Sequence, residues 1–421
     1  MLSQDGLGHE MIAIRDHQPT RQNSQRPFQN AHMLVERVGF DPIGTQHVLR
    51  PDQAQRIGGS EQFFHAPNAS GQLHGCPSRG KCSDGKDFAM DAAVADTPMD
   101  RLSRELAPEM AAVNDLIRER MASRHAPRIP EVTAHLVEAG GKRLRPMLTL
   151  AAAKLCGYGG PYHVHLAATV EFIHTATLLH DDVVDESLQR RGRPTANLLW
   201  DNKSSVLVGD YLLARAFQLM TDTGVMRVLE ILSNASATIS EGEVLQLTAA
   251  QDLATDEGIY LQVVRGKTAA LFSAATEVGG VIASATEAQV RALFDYGDAL
   301  GIAFQIADDL LDYGGSSAVI GKNTGDDFRE RKLTLPVIKA VALANPEERA
   351  FWQRTIEKGD QRDGDLEQAL SIMTRHGTLM AAREDALGWA AKARAALAPL
   401  PAHPIRDMLE DLADFVVARI A

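Results

Sequence analysis

From about residue 100 to the C-terminus, apolar residues recur at spacings of three and four in sequence rich in Ala, Leu, Glu and Arg, broken at Gly and Pro. Strand-like alternation is nearly absent. The pattern predicts helices over 100–121, 131–155, 163–186, 195–221, 225–252, 257–281, 286–313, 334–344, 347–357, 364–374, 378–397 and 404–420. A chain patterned this way can bury its apolar faces only by packing helix on helix. The expected class is all-α. Many stretches are close to uniformly apolar, so the central helices of the bundle are buried on most sides and can enclose a long apolar slot.

The first 89 residues break the pattern. They hold ten Gln, six of the fourteen His and two of the three Cys, with Pro, Gly and Ser interruptions and no sustained apolar period. Such composition does not build a core. Two readings stay open for 1–89, a disordered extension or a start placed upstream of Met90 or Met99, with 90–421 as the single large domain. Cys76, Cys82, His65 and His74 do not make a convincing zinc site, because C-P-S-R-G-K-C is longer than the usual spacing. With Cys156 they are also too few and scattered for a disulfide framework, which suits a reducing cytoplasm. Net charge is −12, without a basic stripe or aromatic-interleaved patch, so no nucleic acid partner is expected. No apolar run is long enough to span a bilayer, and the N-terminus lacks the layout of a secretory signal.

Two clusters of the form D-D-x-x-D carry the chemistry: Asp181, Asp182, Asp185 and Asp308, Asp309, Asp312, 127 residues apart. On a helix, positions i and i+4 share a face, so each cluster aims at least two carboxylates at one point. A lone D-D-x-x-D is more often a solvated acidic face. Here both sit in apolar sequence, among Leu178, Leu179, Val183 and Val184 and among Ile306, Leu310 and Leu311. Facing each other, they would hold Mg²⁺, which takes oxygen ligands and completes its shell with substrate phosphates. Basic residues accompany them. Arg190 and Arg191 follow the first cluster, where Gly192 and Pro194 would end its helix, and their forks match phosphate oxygens. G-G-K-R-L-R-P at 140–146 reads as a loop presenting Lys142, Arg143 and Arg145 to a second, metal-free diphosphate. His174 lies two turns before Asp181 and is a candidate phosphate donor. Lys267, Thr268, Gln305, Lys322 and Lys332 add polar groups in apolar surroundings. The G-K-T at 266–268 is not a P-loop, since the glycine five residues earlier is replaced by Leu261.

Taken in order, G-G-K-R-L-R-P, L-L-H-D-D-V-V-D with R-R-G, V-G-D-Y at 208–211, G-E-V-L-Q-L at 242–247, R-G-K-T-A, F-Q-I-A-D-D-L-L-D-Y and G-K-N-T-G-D-D-F resemble the trans-isoprenyl diphosphate synthases, specifically the bacterial long-chain polyprenyl type. The resemblance covers about residues 100–421. It implies the isoprenoid synthase fold, a large helical bundle around a central apolar cavity with the two Asp motifs facing across it, and a homodimer. It also implies that all six aspartates are catalytic: Asp181, Asp185 and Asp308 bind about three magnesium ions directly, while Asp182, Asp309 and Asp312 support the metal-water shell. Arg190, Lys267, Thr268, Gln305, Lys322 and Lys332 would hold the allylic diphosphate, and Lys142, Arg145, His174 and Arg191 the isopentenyl diphosphate. Glu330 and Arg331 depart from the pattern, leaving open which of Arg331 and Lys332 points inward.

The implied reaction is magnesium-dependent head-to-tail condensation of isopentenyl diphosphate onto farnesyl or geranylgeranyl diphosphate, supplying a quinone side chain. Short-chain relatives carry a bulky aromatic four or five residues before the first Asp. Here those positions are Thr177 and Ala176, so the product should grow to about eight to ten isoprene units, each comparable to one helix turn. A lipid-like product suggests transient contact with a membrane surface. A class I terpene cyclase would need only one D-D-x-x-D and no second diphosphate site. A non-catalytic regulatory subunit would have lost one of the clusters.

Overall fold

The computed structural model describes residues 96–138, 141–314 and 325–420, all within one compact unit, Ala89–Ala421. The N-terminal histidines and Cys76 and Cys82 lie outside the described residues, as does Lys322. Helices α1 (Pro98–Glu105), α2 (Ala107–Met121), α3 (Arg128–Glu138), α4 (Leu144–Leu155) and α5 (Tyr162–Val184) lead to a short hairpin, β1 (Gln189–Arg190) and β2 (Arg193–Pro194). Then come α6 (Ala196–Leu199), α7 (Asn202–Asp222), α8 (Met226–Ala249), α9 (Glu257–Val264), a π-helical turn over Arg265–Ala269, α10 (Ala270–Ile282) and α11 (Glu287–Gly314). The chain closes with α12 (Asp326–Arg329), α13 (Leu335–Leu343), α14 (Pro346–Trp352) running into a second π turn (Gln353–Glu357), α15 (Asp365–Arg375), α16 (Thr378–Ala396) and α17 (Pro404–Ala418).

Helix α10 is the centre of the bundle. It packs on α4, α5, α8 and α11, and Leu271 to Thr276, Val278 to Gly280 and Ile282 are all buried. Helix α5 lies between α4 and α7, and α11 packs against α16 and α17. A satellite core of Tyr313, Phe328, Val337, Phe351, Trp352, Ile356 and Ile372 forms where α11, α12, α13, α14 and α15 meet. Its edges are tied by charge. Asp365 accepts two hydrogen bonds from Arg354, at 2.8 and 2.6 Å, and one from the Arg362 backbone at 2.7 Å. Glu348 accepts from Arg375 at 2.7 Å and lies 2.9 Å from the His376 ring.

Several expected helices break where local chemistry outweighs periodicity. The 100–121 segment is two helices meeting at Leu106, just before Pro108 in the first turn of α2. The 195–221 segment restarts at Asp201, whose carboxylate caps the Ser204 amide. The 163–186 helix stops at Asp185. The basic residues after it form a hairpin instead of a helical last turn: Arg191 and Gly192 both have positive φ, 53° and 74°, as a two-residue type I′ turn requires. Arg145 is not in a loop. Helix α4 begins at Leu144, and Arg143 stands before it in the left-handed conformation.

Candidate active site

The six aspartates divide by burial. Asp185 and Asp308 are exposed and Asp181 is half-buried, whereas Asp182 and Asp309 are sealed in protein at 0% and 4% exposure. Asp182 accepts from Arg190 at 2.9 Å and 2.7 Å, and its backbone carbonyl accepts from Asn197 at 3.1 Å. Asp309 accepts from the Tyr260 hydroxyl at 2.6 Å and from Gln305 at 2.9 Å. Asp312 accepts the backbone N–H groups of Asp326 and Asp327 at 3.2 and 3.0 Å, fixing the entry to α12.

Two bridges tie the clusters together. On one side the π turn presents Lys267, which donates to Glu243 at 2.9 Å and acts electrostatically on Asp181. Its neighbour Thr268 donates to Gln305 at 2.9 Å, continuing to Asp309. The turn can sit there because Gly242 and Gly266 meet without side chains: a Cβ on Gly266 would lie 2.7 Å from the Gly242 Cα. On the other side, burial works against the charge of Lys332, but Asp327, Glu330 and Asp185 outweigh it and raise its pKa. Arg331 points elsewhere. With φ of 63° it turns its Nε to the Ile356 carbonyl at 2.7 Å, whereas Lys332 pairs with the carboxylates of Glu330 and, at 3.6 Å, Asp327.

The carboxylates are short of positive charge. Burial, opposed by Lys267 and reinforced by Glu243 and Asp185, pushes Asp181 up to about 7. Burial and Asp327 push Asp309 up to about 7 against its hydrogen bonds from Tyr260 and Gln305. Asp182 Oδ2 is buried and has no partner among the described residues. An all-oxygen donor set with this deficit fits a hard dication. Among the described residues no three acidic or histidine side chains converge on one point, so a cation here would complete its shell with water or substrate oxygens.

Nearer the start of α5 lies a basic pocket lined by Arg143, Glu171, His174, Arg190, Arg191 and His135, among others, and reaching Asp182 of the first motif. Arg143 and Glu171 form a close ion pair inside it. The cavity left is about 30 Å³, roughly a water's worth, so a diphosphate could enter only as lining side chains shift. Gly141 stands against Arg191, where a Cβ would come within 2.7 Å of the guanidinium. Arg145 approaches His174 Nε2 at 3.3 Å, and burial lowers its pKa to about 10, leaving it charged. Burial, then Arg145, Arg191, Arg190 and Arg143, hold His174 well below the usual imidazole range. His174 is therefore neutral, and since arginine only donates, its Nε2 accepts and Nδ1 carries the proton. Lys142 is exposed, Ala176 is sealed in the core, and Thr177 is half-buried with its hydroxyl on the His174 carbonyl at 2.9 Å.

Sequence reasoning gave no role to Glu171, His135, Glu243, Tyr260 or Asp327. Glu243 and Asp327 lie inside the motifs quoted above and could have been found. Tyr260 and Glu171 carry no spacing signal of their own.

The polyprenyl synthetase family profile matches residues 126–373, well over half the chain. The chain belongs to the polyprenyl synthetase family. The synthase is 46% identical over 321 residues to octaprenyl diphosphate synthase of Escherichia coli (strain K12), covering 76% of this chain and 99% of that protein. It is similar to the crystal structure of a decaprenyl diphosphate synthase from Rhodobacter capsulatus, at 80% identity and TM-score 0.75, covering 77% of this chain and all of that one. It is also similar to a polyprenyl synthase from Caulobacter crescentus CB15 complexed with calcium and isoprenyl diphosphate, at 52% identity and TM-score 0.74, covering 77% and 99% of the two chains. The synthase is a prenyltransferase of the bacterial long-chain trans type, with the all-helical fold of these neighbours.

Proposed function

We propose that the synthase extends an allylic diphosphate, farnesyl or geranylgeranyl, by repeated addition of isopentenyl diphosphate to a product of about eight to ten isoprene units. One observation carries the two-substrate reading: α5 bears the carboxylates of Asp181 and Asp185 outside the sealed core and, about two and three turns before Asp181, His174 and Glu171 in a pocket of arginines. An acidic site and a basic site beside each other suit two diphosphates, of which only the one at the acidic site ionises.

Asp181, Asp185 and Asp308 would hold Mg²⁺, with Asp182, Asp309 and Asp312 steadying them from behind. Bound there, Mg²⁺ supplies positive charge to the departing diphosphate. Lys267, Thr268, Gln305, Arg190, Lys332 and Lys322 would orient that diphosphate and stabilise the charge growing on its bridging oxygen as the C–O bond breaks. Lys142, Arg145, His174 and Arg191, joined by Arg143, would hold isopentenyl diphosphate with its double bond against the allylic carbon. A C–C bond then forms, and the proton lost goes to the released diphosphate. Leu179, Leu310 and Ile306 around the motifs keep water from the cation.

The exposed Val206, Leu207 and Phe217 of α7 and Val244 and Leu247 of α8 support a homodimer through that face. None of the described helices is long and apolar enough to cross a membrane, and we place the synthase in the cytoplasm, with its lipid product as the reason for transient membrane contact. Incubating the chain with farnesyl or geranylgeranyl diphosphate, isopentenyl diphosphate and Mg²⁺ and sizing the extracted product tests the reading. A ladder ending in the long-chain range is expected. No elongation at any magnesium concentration would favour a regulatory subunit.

A further inference from the structure

Arg145 is held in an unusual way for a buried cation. Its guanidinium carbon lies 4.5 Å above the ring of Phe272, and its Nε has no acceptor among the described residues. A guanidinium held by its face, with Nη1 on His174 Nε2 at 3.3 Å, leaves its remaining N–H groups for an anion. The ring beneath it is backed in turn. Phe272, fully buried on α10, meets Phe304 of α11 at 5.6 Å and 41°, and Arg419 lies over the Phe304 ring, 4.7 Å from its centre. Arg419 also donates to the Phe304 carbonyl at 3.3 Å and to the Val416 carbonyl at 3.0 Å. The order is Arg145, Phe272, Phe304, Arg419, a cation on each end of an aromatic pair.

We propose that Arg419, at the end of the C-terminal helix, is a positioning residue for the second diphosphate: through Phe304 and Phe272 it sets the guanidinium of Arg145. Phe304 is the only member whose ring is a partly exposed aromatic, so it is the one that needs holding. Its place one turn before Asp308 puts it on the side of α11 that carries that aspartate. Arg419 feels the charge of Asp308, so direct action on the metal-bound substrate is the rival explanation. The inference rests on the assignment of Arg145 to isopentenyl diphosphate made above.

Steady-state kinetics of the full chain separate these. Arg419→Ala should raise the KM for isopentenyl diphosphate about five- to tenfold while leaving the KM for the allylic diphosphate and the magnesium dependence unchanged. Phe304→Leu should do the same, and Arg419→Lys, which keeps the charge but not the planar face, should rescue only part. The decisive comparison is the double variant: Arg145→Ala with Arg419→Ala should be no worse than Arg145→Ala alone. If Arg145→Ala raises that KM and the Arg419→Ala effect multiplies on top of it, or falls on the allylic KM, Arg419 acts independently and the proposal is overturned. If Arg145→Ala leaves the isopentenyl KM unchanged, the assignment of Arg145 fails first and takes the proposal with it.

Discussion

Asp182 is sealed against Arg190, while Asp185, three residues later in the same motif, is exposed at the end of α5. Their removal should therefore read out differently. Asp182→Ala leaves a half-buried guanidinium without its partner and should lower unfolding stability by about 2 kcal/mol as well as activity. Asp185→Ala should change stability by less than about 0.5 kcal/mol while removing most of the turnover. Chemical denaturation beside an elongation assay checks both, and equal stabilities would contradict the division by burial. The D-D-x-x-D spacing alone could not make this division, because it reports which residues share a helix face and not which neighbours cover them.

The crossing of α8 and the π turn is set by two missing side chains. A methyl on Gly266 would meet backbone at 2.7 Å, and backbone cannot rotate away. Gly266→Ala should displace Lys267 and Thr268, destabilise by about 2 kcal/mol, and raise the KM for the allylic diphosphate more than that for isopentenyl diphosphate. The satellite core depends on charge instead. The hydrogen bonds from Arg354, against the desolvation of burial, hold the Asp365 carboxyl below its ordinary range. A depressed carboxyl contributes stability above its unfolded pKa of about 4, and that contribution is lost as pH falls through the lower folded value. Melting temperature should thus drop more steeply below about pH 4 in the native chain than in Asp365→Asn. Parallel curves would show that the pair is not a net stabiliser. Periodicity could predict helices on both sides of these features. It could not predict the hairpin, which is set by local turn geometry at Arg191 and Gly192, or the π turn, which lies against the Gly242 backbone of α8.

For the molecule as a whole, product length is the property that integrates the fold. Thr177 lies one turn before Asp181 and is half-buried, whereas Ala176 is sealed in the core. Thr177→Phe should shorten the product by at least one isoprene unit, about one helix turn. Ala176→Phe should shorten it too, with a loss of stability from overpacking of about 1–3 kcal/mol. Product sizing with both variants checks this, and full-length product from each would sink the slot. The amino-acid sequence alone determined the helical class, both aspartate motifs and the basic residues that accompany them, because periodicity and residue chemistry are local. Tertiary structure decided which aspartates are sealed, that Arg331 turns to the Ile356 carbonyl while Lys332 pairs with Asp327, that Arg190 is paired to Asp182, and that Arg145 rides on Phe272. Those outcomes depend on burial and on contacts between residues far apart in the chain, such as Phe304 and Arg419, which only the folded packing of α10, α11 and α17 brings together.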